Sequence, residues 1–242
     1  MTSNQQLPRD TLKPPSSPYR YFQNRWEILF FVLVFILLSF QVFFFYSDIQ
    51  SFSGLHGLIS FFVGFESFVA TRLAYVSLPL ILFPLAYLFC RSKRPAWARQ
   101  YLDFLGVYVI FRLLVQLVGL NILVFDSVTS RFLLISQVLF FLPYSLLIWG
   151  WVYWRLDSFA RASNRPLFHL DCEGVAPPRP IDYFVASFSS VFSATINAIK
   201  GNSARARILI LFHGFLIYDV MGLTLSRAVA LVQAKETLEN QG

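Results

Sequence analysis

Residues 181–235 decide the fold of this chain. They read IDYFVASFSSVFSATINAI (181–199), then the basic break KGNSARAR (200–207), then ILILFHGFLIYDVMGLTLSRAVALV (208–232). Two apolar segments joined by a short polar break predict a helical hairpin. Small residues, which let helix backbones approach closely in lipid, recur at every fourth position of the first segment, at Ala186, Ser190, Ala194 and Ala198. This small-residue stripe favours a full membrane span packed against a neighbouring helix.

The composition of the chain is typical of an integral membrane protein. Of its 242 residues, 56% are hydrophobic, only 14% are charged and 28 are Phe, whereas a soluble domain carries about 25% charged residues. The net charge of +7 raises nucleic acid as a partner, but the basic residues lie between apolar runs, where they act as topology signals. We therefore expect a lipid bilayer as a partner, and no nucleic acid.

Four further apolar runs precede the hairpin, and each is long enough to cross a hydrocarbon core of ~30 Å. We predict an all-α integral membrane protein, a polytopic helical bundle of five long spans plus one shorter span or re-entrant helix. The long helices are expected at about 26–46, 67–90, 101–125, 131–156 and 206–234. The shorter helix is expected at about 182–199, with next to no β-strand anywhere in the chain.

These patterns divide the chain into five regions. They are a disordered basic cytoplasmic tail (1–25), a four-span membrane region (26–157), a polar linker (158–180), the helical hairpin (181–235) and a polar C-terminus (236–242). The linker crowds together His169, Asp171, Cys172 and Glu173. Adjacent residues do not converge on one ion without an unusual loop, and no second cluster completes a site. We therefore predict no metal site.

The distribution of basic residues predicts the topology. If residues 182–199 span the membrane, six spans place fourteen basic residues inside and four outside. If that segment re-enters from the inside, the split is fifteen inside to three outside. Both arrangements obey the positive-inside tendency and put the N-terminus in the cytoplasm of a multi-pass protein. Charge alone does not separate them, and the small-residue stripe favours six spans.

Two opposite charges mark a predicted intramembrane polar site. Arg112 and Asp219 both lie near the middle of apolar segments, where an unpaired charge is costly. In the six-span arrangement their helices run antiparallel, so the two charges sit at matching depth and are expected to pair. Gln116, one turn from Arg112, and His213, about two turns from Asp219, complete the site. Two interpretations stay open: a structural ion pair that fixes helix register, or an ion, proton or substrate pathway.

The segment DYFVASFSSVFSATINAIKG (182–201) resembles the pore helix and filter of tetrameric potassium channels. In that family an aromatic-rich D-x-x-x-x-S-F segment leads to T-V-G-Y-G-D, and a second helix follows. By position, Thr195 and Ile196 match the start of the filter, and Asn197 begins the stretch that replaces G-Y-G-D. Both filter glycines are absent, and glycine permits the backbone angles that aim carbonyls at an ion. The resemblance implies a pore-like hairpin without potassium selectivity.

The function that these observations favour is that of a channel- or transporter-like membrane protein, with the substrate open. The alternative is a non-catalytic membrane subunit or assembly factor, because the loops are short and the small-residue stripe suits helix packing. An enzyme is not expected, since no nucleophile-and-base set, H-E-x-x-H motif or Gly-rich phosphate loop is present. We expect no cofactor. A homo-oligomer or a membrane-protein partner is expected in either case.

Overall fold

A computed structural model describes residues 19–49, 57, 60–61, 64–65, 68, 72–90, 95–125, 131–163, 165–171, 178–192 and 199–239. The helices are α1 (Tyr19–Ile49), α2 (Arg72–Cys90), α3 (Ala98–Phe125), α4 (Arg131–Ala162), α5 (Pro180–Phe192) and α6 (Ala204–Glu239). The strands are β1 (Phe168–Leu170) and β2 (Ile199–Gly201). Among the described residues, the prediction of a mainly helical chain is confirmed, with five long helices and one shorter helix between 19 and 239.

One helix in the described ranges is long and apolar enough to cross a membrane, judged by length and composition. It is Ala98–Asn121 within α3, and a shorter apolar stretch, Leu78–Cys90, lies in α2. The predicted association with a membrane therefore has limited support from a single helix. The other predicted spans stay a prediction.

Ion pairs at one end of the bundle establish the direction of the first helices. Arg99, near the start of α3, donates from Nη1 to Glu27 Oε2 near the start of α1, at 2.9 Å. Arg155, near the end of α4, donates from Nε to Asp103 Oδ1 at 2.9 Å. We call this end, defined by Glu27, Arg99, Asp103 and Arg155, the charged end. Helices α1 and α3 run away from it, and α4 runs towards it.

A two-stranded antiparallel sheet then determines the direction of α6. Residue Phe168 pairs with Gly201, and Leu170 pairs with Ile199. Strand β1 follows α4 and β2 precedes α6, so α6 begins at the charged end and runs parallel to α3. The segment between the strands leaves the charged end and returns to it.

Local sequence explains where α5 and α6 begin. Pro180 occupies the first turn of α5, where its missing N–H costs nothing, and Asp182 Oδ2 accepts a hydrogen bond from Arg179 N at 2.6 Å. Ser203 caps α6, because its Oγ accepts from Ala206 N at 3.2 Å. Helix α5 runs inward along α4, where Ser187 Oγ donates to the carbonyl oxygen of Leu146 at 2.9 Å.

The predicted extent of the shorter helix is wrong. The helix predicted at 182–199 ends at Phe192, and Ile199 is already in β2 at the charged end. The re-entrant alternative agrees with this geometry. The linker, predicted to be irregular, contains β1. The small-residue stripe does not determine the length of a helix, although its first member, Ala186, is buried.

Aromatic side chains fill the core next to the charged end. The ring of Trp151 stacks on Phe30, with 5.9 Å between centroids, and meets Phe31 edge-on at 5.6 Å. Gly106 of α3 makes room for the indole, since a Cβ there would lie 2.0 Å from Trp151 Cη2. Helices α1, α3 and α4 therefore meet at one indole ring.

The Gly106→Ala variant is expected to lose about 1–3 kcal/mol of the free energy of unfolding, because an extra methyl group overpacks the core against Trp151. The matched control is Gly214→Ala in α6, where nothing lies within 4 Å of an added Cβ. There the better helix propensity of alanine applies, worth up to about 1 kcal/mol. Denaturant melts of both variants in detergent measure the difference. Equal stability of the two variants would contradict the packing described here.

Candidate functional site

A network of ion pairs joins three helices at the charged end. The Glu27 side chain is 1% exposed, and it accepts from Arg99 and from Trp151 Nε1, the latter at 3.3 Å. Arg99 also pairs with Asp103, four residues further along α3, and Asp103 pairs with Arg155. This network was not predicted from the sequence. The i, i+4 spacing of Arg99 and Asp103 was a usable signal, but the links to Glu27 and Arg155 cross between helices.

A second carboxylate anchors the segment that re-enters the bundle. Asp157 is fully buried, and its Oδ1 accepts from Leu167 N at 2.7 Å and from Phe168 N at 3.0 Å. Its Oδ2 accepts from Arg161 Nε at 2.5 Å and from the Tyr183 hydroxyl. One side chain of α4 therefore holds both the strand that precedes the re-entrant segment and the first turn of α5.

The structure does not bring Arg112 and Asp219 together. Asp219 Oδ2 accepts from Asn121 Nδ2 at 3.0 Å, and no ion pair between Arg112 and Asp219 occurs among the described side chains. The reason is the direction of α6. It runs parallel to α3 rather than antiparallel, and Asn121 lies nine residues beyond Arg112, about 13 Å along the helix axis.

Arg112 and Gln116 share one face of α3 inside the bundle, as predicted from their spacing. Each is 4% exposed. Gln116 Nε2 donates to Gln41 Oε1 of α1, and Arg112 interacts electrostatically with Tyr144 of α4. Within the described residues, Arg112 Nη1 and Gln116 Oε1 have no hydrogen-bond partner. Two buried polar atoms one turn apart on α3 therefore lack hydrogen-bond partners.

His213 belongs to a different cluster from the one predicted. Its Nδ1 lies 2.9 Å from the Tyr153 hydroxyl, and its ring stacks on Trp149 with 4.7 Å between centroids. The residue is 2% exposed, and its Nε2 lacks a hydrogen-bond partner in the described part of the chain. The four predicted site residues are thus distributed over three places: Arg112 with Gln116, Asp219 with Asn121, and His213 with α4.

The remaining sequence-predicted residues are only partly described. Thr195, Ile196 and Asn197 of the filter-like segment lie outside the described residues. In the linker, Asp171 Oδ1 lies 3.7 Å from Lys200 Nζ, and Cys172 and Glu173 lie outside the described ranges. No group of three or more metal-binding side chains occurs among the described residues.

An apolar groove of about 670 Å³ opens between α1, α4 and α5. Its lining includes Trp26, Leu29, Phe30, Leu147, Phe184 and Phe188. Stacking of Trp26 on Phe184, at 5.7 Å between centroids, holds α1 against α5 beside it. The groove offers apolar surface and little polar chemistry.

No protein-family model, curated protein or solved structure matches this chain at a significant level.

Proposed function

We propose that this chain is a multi-pass integral membrane protein of the channel or transporter class, with five spanning helices and a re-entrant segment around α5. The observation that carries the proposal is the pairing of β1 with β2, which returns the chain to the charged end after α5. A short helix that enters a helical bundle and comes back is tolerated in a membrane where it is buried in protein or lines a water-filled cavity.

Five of the described helices have the length that a span needs. Helices α1, α3, α4 and α6 have 28 to 36 residues and α2 has 19, and a span needs about 17–25. Exposed apolar residues run along one face of α3, at Phe104, Val107, Phe111, Leu114 and Val118. A contiguous apolar face of this kind suits contact with lipid.

The charge distribution supports a cytoplasmic charged end. With the re-entrant segment entering from that side, fifteen of the 20 basic residues lie in segments that begin or end there, against three on the opposite side. This split follows the positive-inside tendency. The N-terminus is then cytoplasmic, and the C-terminus lies across the membrane from it.

The re-entrant position also supports a pore-like role. In the channel family that residues 182–201 resemble, a short helix enters the bundle and an extended filter follows. Here α5 enters the bundle, and residues 195–197 follow it in the chain. Since the filter glycines are absent, potassium selectivity is not part of the proposal. The proposal also includes a homo-oligomer in the lipid bilayer. A pore like that of the tetrameric channels needs several such segments, and each chain contributes the one around α5.

Flux through the purified protein in liposomes tests this proposal. We expect passage of an ion or small solute above that of empty liposomes, across a panel of potassium, sodium, chloride and small carboxylates. A second test uses the Asp157→Asn variant, which weakens the anchor of the re-entrant segment and is expected to change the flux. Absence of flux for every member of the panel, from protein that is folded and inserted, would overturn the proposal.

The second candidate is a non-catalytic membrane subunit or assembly factor. The apolar groove between α1, α4 and α5 favours it, because a helix of another membrane protein could occupy such a groove. Copurification of a stable partner in mild detergent, together with absent flux, would select this candidate.

A further inference from the structure

Arg112 is a buried cation without a counter-charge in the described part of the chain. It is 4% exposed, and its Nη1 has no hydrogen-bond partner there. The described acidic side chains that are engaged elsewhere are Glu27, Asp103, Asp157, Asp171, Asp182 and Asp219. A guanidinium does not deprotonate in a protein. A water molecule could satisfy its N–H group but not its charge, so an anion is the fitting partner.

Gln116 needs a different kind of hydrogen-bond partner from the one that Arg112 needs. It lies one turn along the same face of α3, and its Oε1 is buried and accepts no hydrogen bond from any described residue. Its Nε2 is already committed to Gln41 Oε1. Gln116 Oε1 therefore calls for a hydrogen-bond donor, whereas Arg112 calls for an anionic acceptor.

We infer that Arg112 and Gln116 form a binding site for a small carboxylate that also carries a hydrogen-bond donor, such as a 2-hydroxy acid. The planar guanidinium matches the two oxygens of a carboxylate, and the hydroxyl of the ligand donates to Gln116 Oε1. The inference that such an acid is the transported substrate rests on the proposed function. Binding of the acid to Arg112 and Gln116 does not depend on transport.

Binding to purified protein in detergent tests the inference, with lactate and propionate as probes at equal ionic strength in chloride. We expect lactate to raise the Tm by several degrees and to bind about fivefold more tightly than propionate, the factor that one hydrogen bond supplies. The Arg112→Met variant should lose the response to both acids. Its Tm without ligand should equal or exceed that of the parent, because removing an unpaired buried charge relieves its desolvation cost.

The matched control is Arg72→Met, which removes an exposed arginine at the start of α2 and should leave both responses intact. The Gln116→Met variant keeps the arginine and should bind both acids equally, which protects the test if Arg112→Met fails to fold. No binding by the parent, an equal effect of chloride, or an unchanged response in Arg112→Met would overturn the inference. Binding without flux would support the site and count against transport, whereas flux without binding would refute the site alone.

Discussion

The Asp157→Ala variant is expected to lose about 3–5 kcal/mol of the free energy of unfolding. Asp157 is fully buried and accepts hydrogen bonds from Leu167 N, Phe168 N, Arg161 and Tyr183. Each buried donor that loses its acceptor carries a desolvation penalty, and Arg161 also loses its counter-charge in a partly buried site. Both β1 and the start of α5 depend on this one carboxylate, so the loss is expected to release the re-entrant segment.

Denaturant unfolding in detergent, followed by tryptophan fluorescence, measures this effect. The matched control is Asp171→Ala, which removes a 52% exposed carboxylate 3.7 Å from Lys200 and should cost no more than about 1 kcal/mol. Limited proteolysis adds a local readout, because cleavage between β1 and β2 should rise in Asp157→Ala alone. Similar stability of the two variants would contradict the role assigned to Asp157.

The Arg99→Ala variant is expected to lose about 3–5 kcal/mol, because it leaves the Glu27 carboxylate buried without its main counter-charge. The Glu27 side chain is 1% exposed, and the one described hydrogen bond that remains to it comes from Trp151 Nε1 at 3.3 Å. Asp103 loses one of its two arginines at the same time and keeps Arg155. The contacts that hold α1 to α3 and α4 should weaken together.

A double-mutant cycle isolates this interaction. The variant with both Glu27→Met and Arg99→Met buries no lone charge, so it should be more stable than Arg99→Met alone. The control is Lys200→Met, an exposed member of a long ion pair, which should lie within about 1 kcal/mol of the parent. Strictly additive losses from the two single changes would show that Glu27 and Arg99 do not interact.

The apolar runs predicted where the long helices lie but not all of their ends: α1 begins at Tyr19, within the tail predicted to be disordered, and α4 continues to Ala162. The runs expected at 26–46, 101–125 and 131–156 correspond to α1, α3 and α4, because a run of about 20 apolar residues has few alternatives to a helix. The shared face of Arg112 and Gln116 also followed from spacing alone. These are local properties, and a single segment of sequence contains the information for them.

The pairing of β1 with β2 could not be read from the sequence, and the other errors follow from it. Each strand has three residues, too few for an alternating pattern, and Leu170 pairs with Ile199 across 29 positions. Missing this pair reversed the predicted direction of α6. That reversal in turn placed Asp219 opposite Arg112 rather than beside Asn121. Basic residues could not correct the error, because both topologies obey the same charge rule.

The side of the membrane on which residues 165 and 202 lie tests the central claim most directly. In the re-entrant arrangement both positions are at the charged end, since Asn202 N donates to the carbonyl oxygen of Leu167 at 2.9 Å. In a six-span arrangement they lie on opposite sides. The experiment starts from a chain in which both cysteines are replaced, by Cys90→Ser and Cys172→Ser. Either Arg165→Cys or Asn202→Cys is then introduced. An impermeant maleimide is applied to sealed vesicles of known orientation. Thr129→Cys, between α3 and α4, reports the opposite face.

We predict that the Arg165→Cys and Asn202→Cys variants react from the same side, the cytoplasmic one, and that Thr129→Cys reacts from the other. Reaction of Arg165→Cys and Asn202→Cys from opposite sides would show that residues 182–199 cross the membrane, and would contradict the re-entrant fold.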